Sequence, residues 1–511
     1  MPVTIGETLT FQDVLAAVHG EEVRLSPAAR ARVETAHAVV DRKVAGGETV
    51  YGVTTGFGSL ANVRLQPEEA EALQLGLLRS HAVAVGPPLS EYETRAMLLL
   101  RAHVLALGHS GVRPELVERL IDLLNHSVLP IVPEQGSLGA SGDLAPLAHL
   151  ALPLVGEGEV SFQGDRMPAK LALDSLGLRP MELQAKEGLA LINGTQGMLA
   201  VGILAAERIG ALAKVADVTA AMTVEAILAT DAAFDERIMA LRPHPGQAAS
   251  ASNLRRLLER SEIVASHRAS PHLVQDAYSL RCAPQVHGAL RDVLAFARGV
   301  LEIEMGSVSD NPLVFPDDDE VRSGGNFHGQ PVSVALDALA VATVGLASIS
   351  ERRLYRLLDP ATNNGLPAFL VERSGRNSGF MIVQYTAASL VSECKTLAHP
   401  AAVDSIPSSA GQEDHVSMGM IAARRARGIV DNAERVVALE ALAAAQALDL
   451  RERAVGAPPA AGTASARAAI RSVVPTLDDD RPLKADVDAA IELVVSGGLL
   501  AAVEEAIGPL S

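Results

Sequence analysis

Residues 136–150 of this 511-residue chain read GSLGASGDLAPLAHL, and the tripeptide Ala140-Ser141-Gly142 inside them can make an electrophile out of backbone. None of the three is an acid, a base or a metal ligand. Attack of the Gly142 amide nitrogen on the Ala140 carbonyl carbon closes a five-membered ring. Loss of one water aromatises the ring, and loss of a second from Ser141 leaves an exocyclic methylene. The product, a 4-methylideneimidazol-5-one, is a strong Michael acceptor. Gly142 suits the attack because it has no Cβ to block a tight backbone approach. Ser141 carries the hydroxyl that leaves, and Ala140 is small. Gly136 and Gly139 loosen the preceding loop. Asp143 reads as a helix N-cap with Pro146 in the first turn, which places the triad where unpaired N–H groups favour negative charge. The same string is also an ordinary Gly-rich turn leading into a helix.

Other residue sets carry weaker signals. Asn193-Gly194-Thr195 interrupts an apolar run and reads as a turn with Thr195 as N-cap of the next helix. Gln275, Tyr278 and Arg281 recur at i+3 spacing, which on a helical turn puts an amide, a phenol and a guanidinium on one side. Such a guanidinium suits bidentate carboxylate binding, although a solvated polar face gives the same pattern. Tyr51 heads YGVTTGFG, a Gly-rich loop able to act as a lid or to lie as plain surface. His81, after Ser80, sits in a helical pattern where a structural histidine is the plainer reading. Gln412-Glu413-Asp414-His415 reads as a metal cluster, a helix cap or a ligand contact. No HExxH, CxxC pair, Walker A, Rossmann fingerprint or G-x-S-x-G elbow occurs, so no metal is expected.

The elements that must position these residues read as helices. Hydrophobic residues make up 48% of the chain, but aromatics only 3% and Trp is absent, so Ala and Leu must fill the interior. That composition favours close-packed helices over sheets. Long Pro-poor patterns cover 197–229, 284–305, 331–358, 379–398 and 415–456, with apolar residues on more than one face, as in a bundle that also makes subunit contacts. Residues 156–181 read as a small hairpin region, and 51–64 and 457–466 as loops. The formal charge of −18 argues against a nucleic-acid partner. Two cysteines, Cys282 and Cys394, are too few for a disulfide framework, so a cytoplasmic location is expected. The first twenty residues lack the pattern of a signal peptide, and no run of 18 or more apolar residues points to a membrane span.

GSLGASGDLAPLAHL is similar to the signature of the aromatic amino acid ammonia-lyase family, and the resemblance runs from YGVTTGFG at 51–58 to QEDHVSMG at 412–419. It implies a mainly α fold of the fumarase/aspartase-like superfamily, with a long central helix bundle and a smaller, loop-rich N-terminal domain. The expected division is 1–195, carrying the triad, and 196–511, the bundle and oligomerisation domain. It implies a homotetramer with active sites shared between subunits, and a methylideneimidazolone formed autocatalytically from Ala140, Ser141 and Gly142 with no external cofactor. Tyr51 matches the lid tyrosine that removes the β-proton. Asn193, Gln275 and Tyr278 match residues beside the prosthetic group. Arg281 matches the arginine that grips the substrate carboxylate, and Phe327 an aromatic wall. His81 and Glu413 match the residues facing the substrate ring, in the pattern that selects an imidazole. The expected reaction is therefore elimination of ammonia from L-histidine to give trans-urocanate, with phenylalanine or tyrosine as the alternative substrate of a lyase or aminomutase. The departures are Ala277, where relatives often have Pro, and Arg376, where Leu is common.

Overall fold

A computed structural model describes residues 2–50, Gly52, Thr55, 67–268 and 274–511, with only the backbone of 67–71. Tyr51 and most of YGVTTGFG therefore lie outside the described residues. The protein is mainly α. Its strands are short: β1 (Val3–Ile5) pairs in parallel with β2 (Val23–Leu25), and β3 (Val85–Pro88), β4 (Leu129–Pro130) and β5 (Pro133–Gln135) join small antiparallel ribbons. The hairpin expected within 156–181 is β6 (Glu159–Phe162) with β7 (Asp165–Pro168). Its turn places Gln163 and Gly164 at φ 54° and 88°, the left-handed pair that a two-residue hairpin turn requires.

The chain forms two compact units. The first comprises residues 1–204, 298–337 and 400–424; the second comprises 205–297, 338–399 and 425–511. This differs from a single boundary at 195/196. The reason is helix length. The helices relevant here are α1 (Pro67–His81), α2 (Glu91–Ala106), α3 (Leu144–Ala151), α4 (Gln196–Ala226), α5 (Tyr278–Arg281), α6 (Ala283–Met305), α7 (Gln330–Leu358), α8 (Met381–Leu397), α9 (Gly419–Val455) and α10 (Ala461–Val473). At 1.5 Å per residue the 37-residue α9 runs roughly 55 Å. Helices α4, α6, α7 and α9 each contribute residues to both units.

In the first unit the core centres on α2, started by a capping box in which Ser90 and Glu93 satisfy each other's backbone N–H groups. Residues 93–106 are all buried, Arg101 and His103 included. In the second unit the buried residues of α9 are mostly alanine and leucine between 436 and 448, which lets helix backbones come close. One buried polar network crosses this interior. Arg353 Nη2 donates to Glu440 Oε2 at 2.8 Å, Thr219 and Thr223 hydroxyls donate to the same carboxylate, and His287 Nδ1 lies 2.7 Å from Asp217. A buried ion pair adds little net stability, but removing one partner costs about 3–5 kcal/mol, so the network ties α4, α6, α7 and α9 to one arrangement.

One sequence expectation is corrected here. The stretch 457–466 is not all loop: α10 begins at Ala461, because the alanine-rich sequence after Pro458-Pro459 favours helix. Buried Glu225 accepts from Ala460 N at 2.8 Å and from the Thr463 hydroxyl, supplying the cap that the local sequence lacks. Helix α7 is long and apolar enough to cross a membrane by length and hydropathy, but 61% of that window is buried inside the protein, as for a core helix.

Candidate active site

Ala140-Ser141-Gly142 lies in a loop that ends directly at α3. Ser141 has φ 52° and Gly142 φ 77°, both left-handed, and a non-glycine residue there stores local strain. A Cβ on Gly142 would stand 2.0 Å from the Gly194 carbonyl oxygen, so only glycine fits. The close approach is a pair of hydrogen bonds. Asp143 N donates to Gly194 O at 2.7 Å, and Gly194 N donates to Ser141 O at 3.3 Å. The Asn193-Gly194 turn expected from sequence therefore backs the triad. Gly139 is packed as tightly against Ser417 and Met418, and Met418 N donates to Leu138 O at 3.2 Å.

Asp143 occupies the N-cap position of α3, but its side chain does not cap that helix. Its carboxylate accepts from Met198 N at 2.7 Å, in the first turn of α4, and from Ser137 Oγ at 2.8 Å. Thr195, expected as the α4 cap, instead donates its hydroxyl to Glu304. The N-termini of α3 and α4 thus both open beside the triad, and the carboxylate that serves α4 comes from the loop. Full burial pushes the Asp143 carboxyl up to about 6, against the pull of its hydrogen bonds. A raised carboxyl means that the folded state holds its proton longer than the unfolded chain. Its contribution to stability is therefore present below the unfolded value near 4 and is lost as pH rises through 6. Relative to Asp143→Asn, the unfolding free energy of the unaltered protein is expected to fall by about 3 kcal/mol between pH 4 and 7. Parallel urea titrations check this; no pH-dependent difference would refute it.

The triad forms one wall of a cavity of about 450 Å³ lined entirely by the first unit. Gly139, Ala140 and Ser141 face Phe327 and His328 from the GGNFHG loop and residues 412–415. The Gln412–His415 cluster is therefore a cavity wall rather than a helix cap. Glu413 Oε1 lies 3.5 Å from Ser141 Oγ, and its Oε2 accepts from Ser408 Oγ at 2.6 Å. His328 and His415 stack with ring centroids 5.9 Å apart and planes 4° from parallel.

His81 ends α1. Its Nδ1 lies 2.9 Å from Leu77 O, an acceptor, which assigns the proton to Nδ1 and leaves Nε2 to accept. Burial lowers its pKa, offset in part by the Leu77 carbonyl and by the charge of Glu413, so the ring is neutral at pH 7. Asn193 is 3% exposed; its Nδ2 donates to Asn311 O at 3.1 Å, while Oδ1 has no partner among the described residues.

Gln275, Tyr278 and Arg281 belong to the second unit. Only Tyr278 and Arg281 lie on one helical turn, because the four-residue α5 starts at Tyr278 and Gln275 precedes it. Ala277 precedes it at φ −64°, an angle a proline would also hold. Tyr278 is 71% exposed, and the Arg281 guanidinium lies 4.6 Å from its ring centroid. Among the polar side chains that line the cavity, sequence reasoning singled out neither Asn311 nor His328. The second was adjacent to Phe327 in a Gly-flanked loop, which was the available signal. Among the described residues no group of three or more His, Cys, Asp or Glu is arranged to hold a metal ion.

Residues 9–472 match the family described as aromatic amino acid lyase. The chain is 54% identical to a histidine ammonia-lyase of Sorangium cellulosum, over 99% of this chain and all of that one. Among solved structures it resembles histidine ammonia-lyase from Trypanosoma cruzi at 43% identity and a TM-score of 0.91, covering 99% of this chain and 96% of that one. It also resembles tyrosine aminomutase from Streptomyces globisporus at 38% identity and a TM-score of 0.96, over the full length of both. The backbone is thus common to proteins of different reaction, and the side chains of the cavity must distinguish them.

Proposed function

We propose, for a chain that belongs to the aromatic amino acid lyase family, that its reaction is the non-oxidative elimination of ammonia from L-histidine to give trans-urocanate, the opening step of histidine degradation. The observation that carries the choice of substrate is Glu413 on the cavity wall beside the triad, with neutral His81 within range of its charge. A carboxylate and an imidazole acceptor can pair with the two N–H groups of a protonated substrate imidazole, or either one with the single N–H of the neutral ring. A phenyl ring would leave both unpaired, which is costly in a desolvated site.

The local backbone fits a prosthetic group made from Ala140, Ser141 and Gly142: the left-handed pair and the space that only Gly142 leaves are what a tight ring closure needs. Once formed, a methylideneimidazolone supplies an electrophilic methylene at the position of Ser141, and no external cofactor is required. The chain's own residues do the rest. Glu413 and His81 orient the imidazole, and Phe327 bounds it. Arg281 binds the substrate carboxylate, while Asn193, Gln275 and Tyr278 flank the prosthetic group. Tyr51 removes the β-proton.

We further propose a cytoplasmic homotetramer with active sites shared between subunits. Exposed Val274, Tyr278, Ile303, Ile382 and Tyr385 support such contacts, and two unpaired cysteines fit a reducing compartment. The second reading, a lyase or aminomutase acting on tyrosine or phenylalanine, rests on the backbone likeness to the aminomutase. Product analysis with histidine, tyrosine and phenylalanine separates the two, with urocanate the dominant product expected. Intact mass two waters below the sequence value, with four chains in sedimentation, is expected of the purified protein. A full-mass chain active on histidine would refute the prosthetic group.

A further inference from the structure

Arg101 is fully buried in α2 and is not part of the cavity. Its guanidinium donates to Asn193 O at 3.0 Å, to Gln196 Oε1 at 2.6 Å and to Ala190 O. Gln196 Nε2 in turn donates to Ser309 Oγ at 2.7 Å. A buried arginine with this fork could serve only to stabilise the turn. The identity of the carbonyls gives it a direction. Asn193 O and Gly194 N are the two ends of one peptide group, and Gly194 N donates to Ser141 O. Ser141 O and Gly142 N are again the two ends of one peptide group.

We propose that Arg101 is a positioning residue for maturation of the triad: it fixes and polarises the Asn193–Gly194 peptide, which in turn orients the Ser141–Gly142 peptide and acidifies its N–H for ring closure. Hydrogen bonds in series polarise one another, more so away from water. The second bond from Gly194, its carbonyl accepting from Asp143 N, holds the other peptide group of Gly142, so the nucleophile is gripped on both sides. The charge is retained at neutral pH. Burial lowers the Arg101 pKa only to about 10, with the charge of Asp310 pulling it back up. Asp310 is itself paired with buried Lys186 at 2.8 Å, and Asn311, which follows it, accepts from Asn193. The atoms balance without an oxidant. The bond from Gly142 N to the Ala140 carbonyl carbon forms. The former carbonyl oxygen leaves as water with the protons of Gly142 N and Ser141 N, and the Ser141 hydroxyl leaves as a second water with its Cα proton.

This inference rests on the proposed prosthetic group, and the test keeps the two apart. The full chain is made in a cell-free system and its intact mass followed with time, with circular dichroism and sedimentation on the same samples. The unaltered chain is expected to lose two waters; a stable full mass would overturn both readings. Folded Arg101→Met is expected to convert at least tenfold more slowly, and Arg101→Lys, which keeps a charge but one donor centre, at an intermediate rate. A purely packing role predicts equal behaviour of the two variants at equal Tm. Conversion of folded Arg101→Met at the unaltered rate overturns the relay while leaving the prosthetic group standing. Should Arg101→Met fail to fold, unaltered conversion of Arg101→Lys overturns it instead.

Discussion

Ser141→Ala is expected to lower kcat for urocanate formation by about 10³- to 10⁶-fold, the range seen when a single reacting group is removed from an enzyme. The variant keeps the β-carbon and loses the hydroxyl whose departure would make the methylene. Its mass is expected at the full sequence value. Its Tm is expected within a few degrees of the unaltered protein. Ser141 already stands at φ 52°, a conformation no easier for serine than for alanine, and the side-chain hydrogen bond it makes among the described residues is 3.5 Å long. Urocanate production at more than a tenth of the normal rate by a homogeneous, full-mass Ser141→Ala sample would refute the assignment.

Glu413→Gln is the second large effect. The substitution keeps shape and keeps an acceptor for Ser408 Oγ, but removes the charge that faces the cavity. A hydrogen bond to a charged group contributes roughly 1.5–3 kcal/mol, so kcat/KM for histidine is expected to fall by about 10²-fold. The ratio of tyrosine to histidine turnover is expected to rise, because the desolvation penalty of an unpaired carboxylate against a phenol or phenyl ring has gone. The 3.5 Å approach of Glu413 to Ser141 offers a different explanation of any loss, through failed maturation. Intact mass separates the two: a variant two waters light with unchanged specificity would refute the recognition role.

The triad and the cavity wall could be read from the chain because their evidence is chemical and local. A string of fifteen residues holds the ring-forming atoms, and Glu413 and Phe327 were placed through the family resemblance that this string carries. The long helices were legible from uninterrupted apolar patterns, with ends wrong by only a few residues. What sequence hid was partnership. Asp143 reads as the cap of the helix that follows it, yet its carboxylate serves Met198. Thr195 reads as a cap and instead meets Glu304. Arg101, which no motif in the sequence singles out, lies wholly inside. Local propensity states which groups need a partner; only the packed chain states which partner each receives. The compact units are discontinuous along the chain, and a helical period says nothing about how many compact units one helix serves.

The grip of Met418 and Ser417 on Gly139 and Leu138 joins positions nearly 280 residues apart in sequence. A ribosome adding roughly 5–20 residues per second needs on the order of 15–60 s to travel that far. Through that interval the nascent chain carries Ala140-Ser141-Gly142 without the segment that completes its surroundings. Closure of the ring is then expected to wait for late synthesis. The two waters lost in the proposed closure would then be a permanent record that a given molecule once reached its native state, readable by weighing it even after it has unfolded.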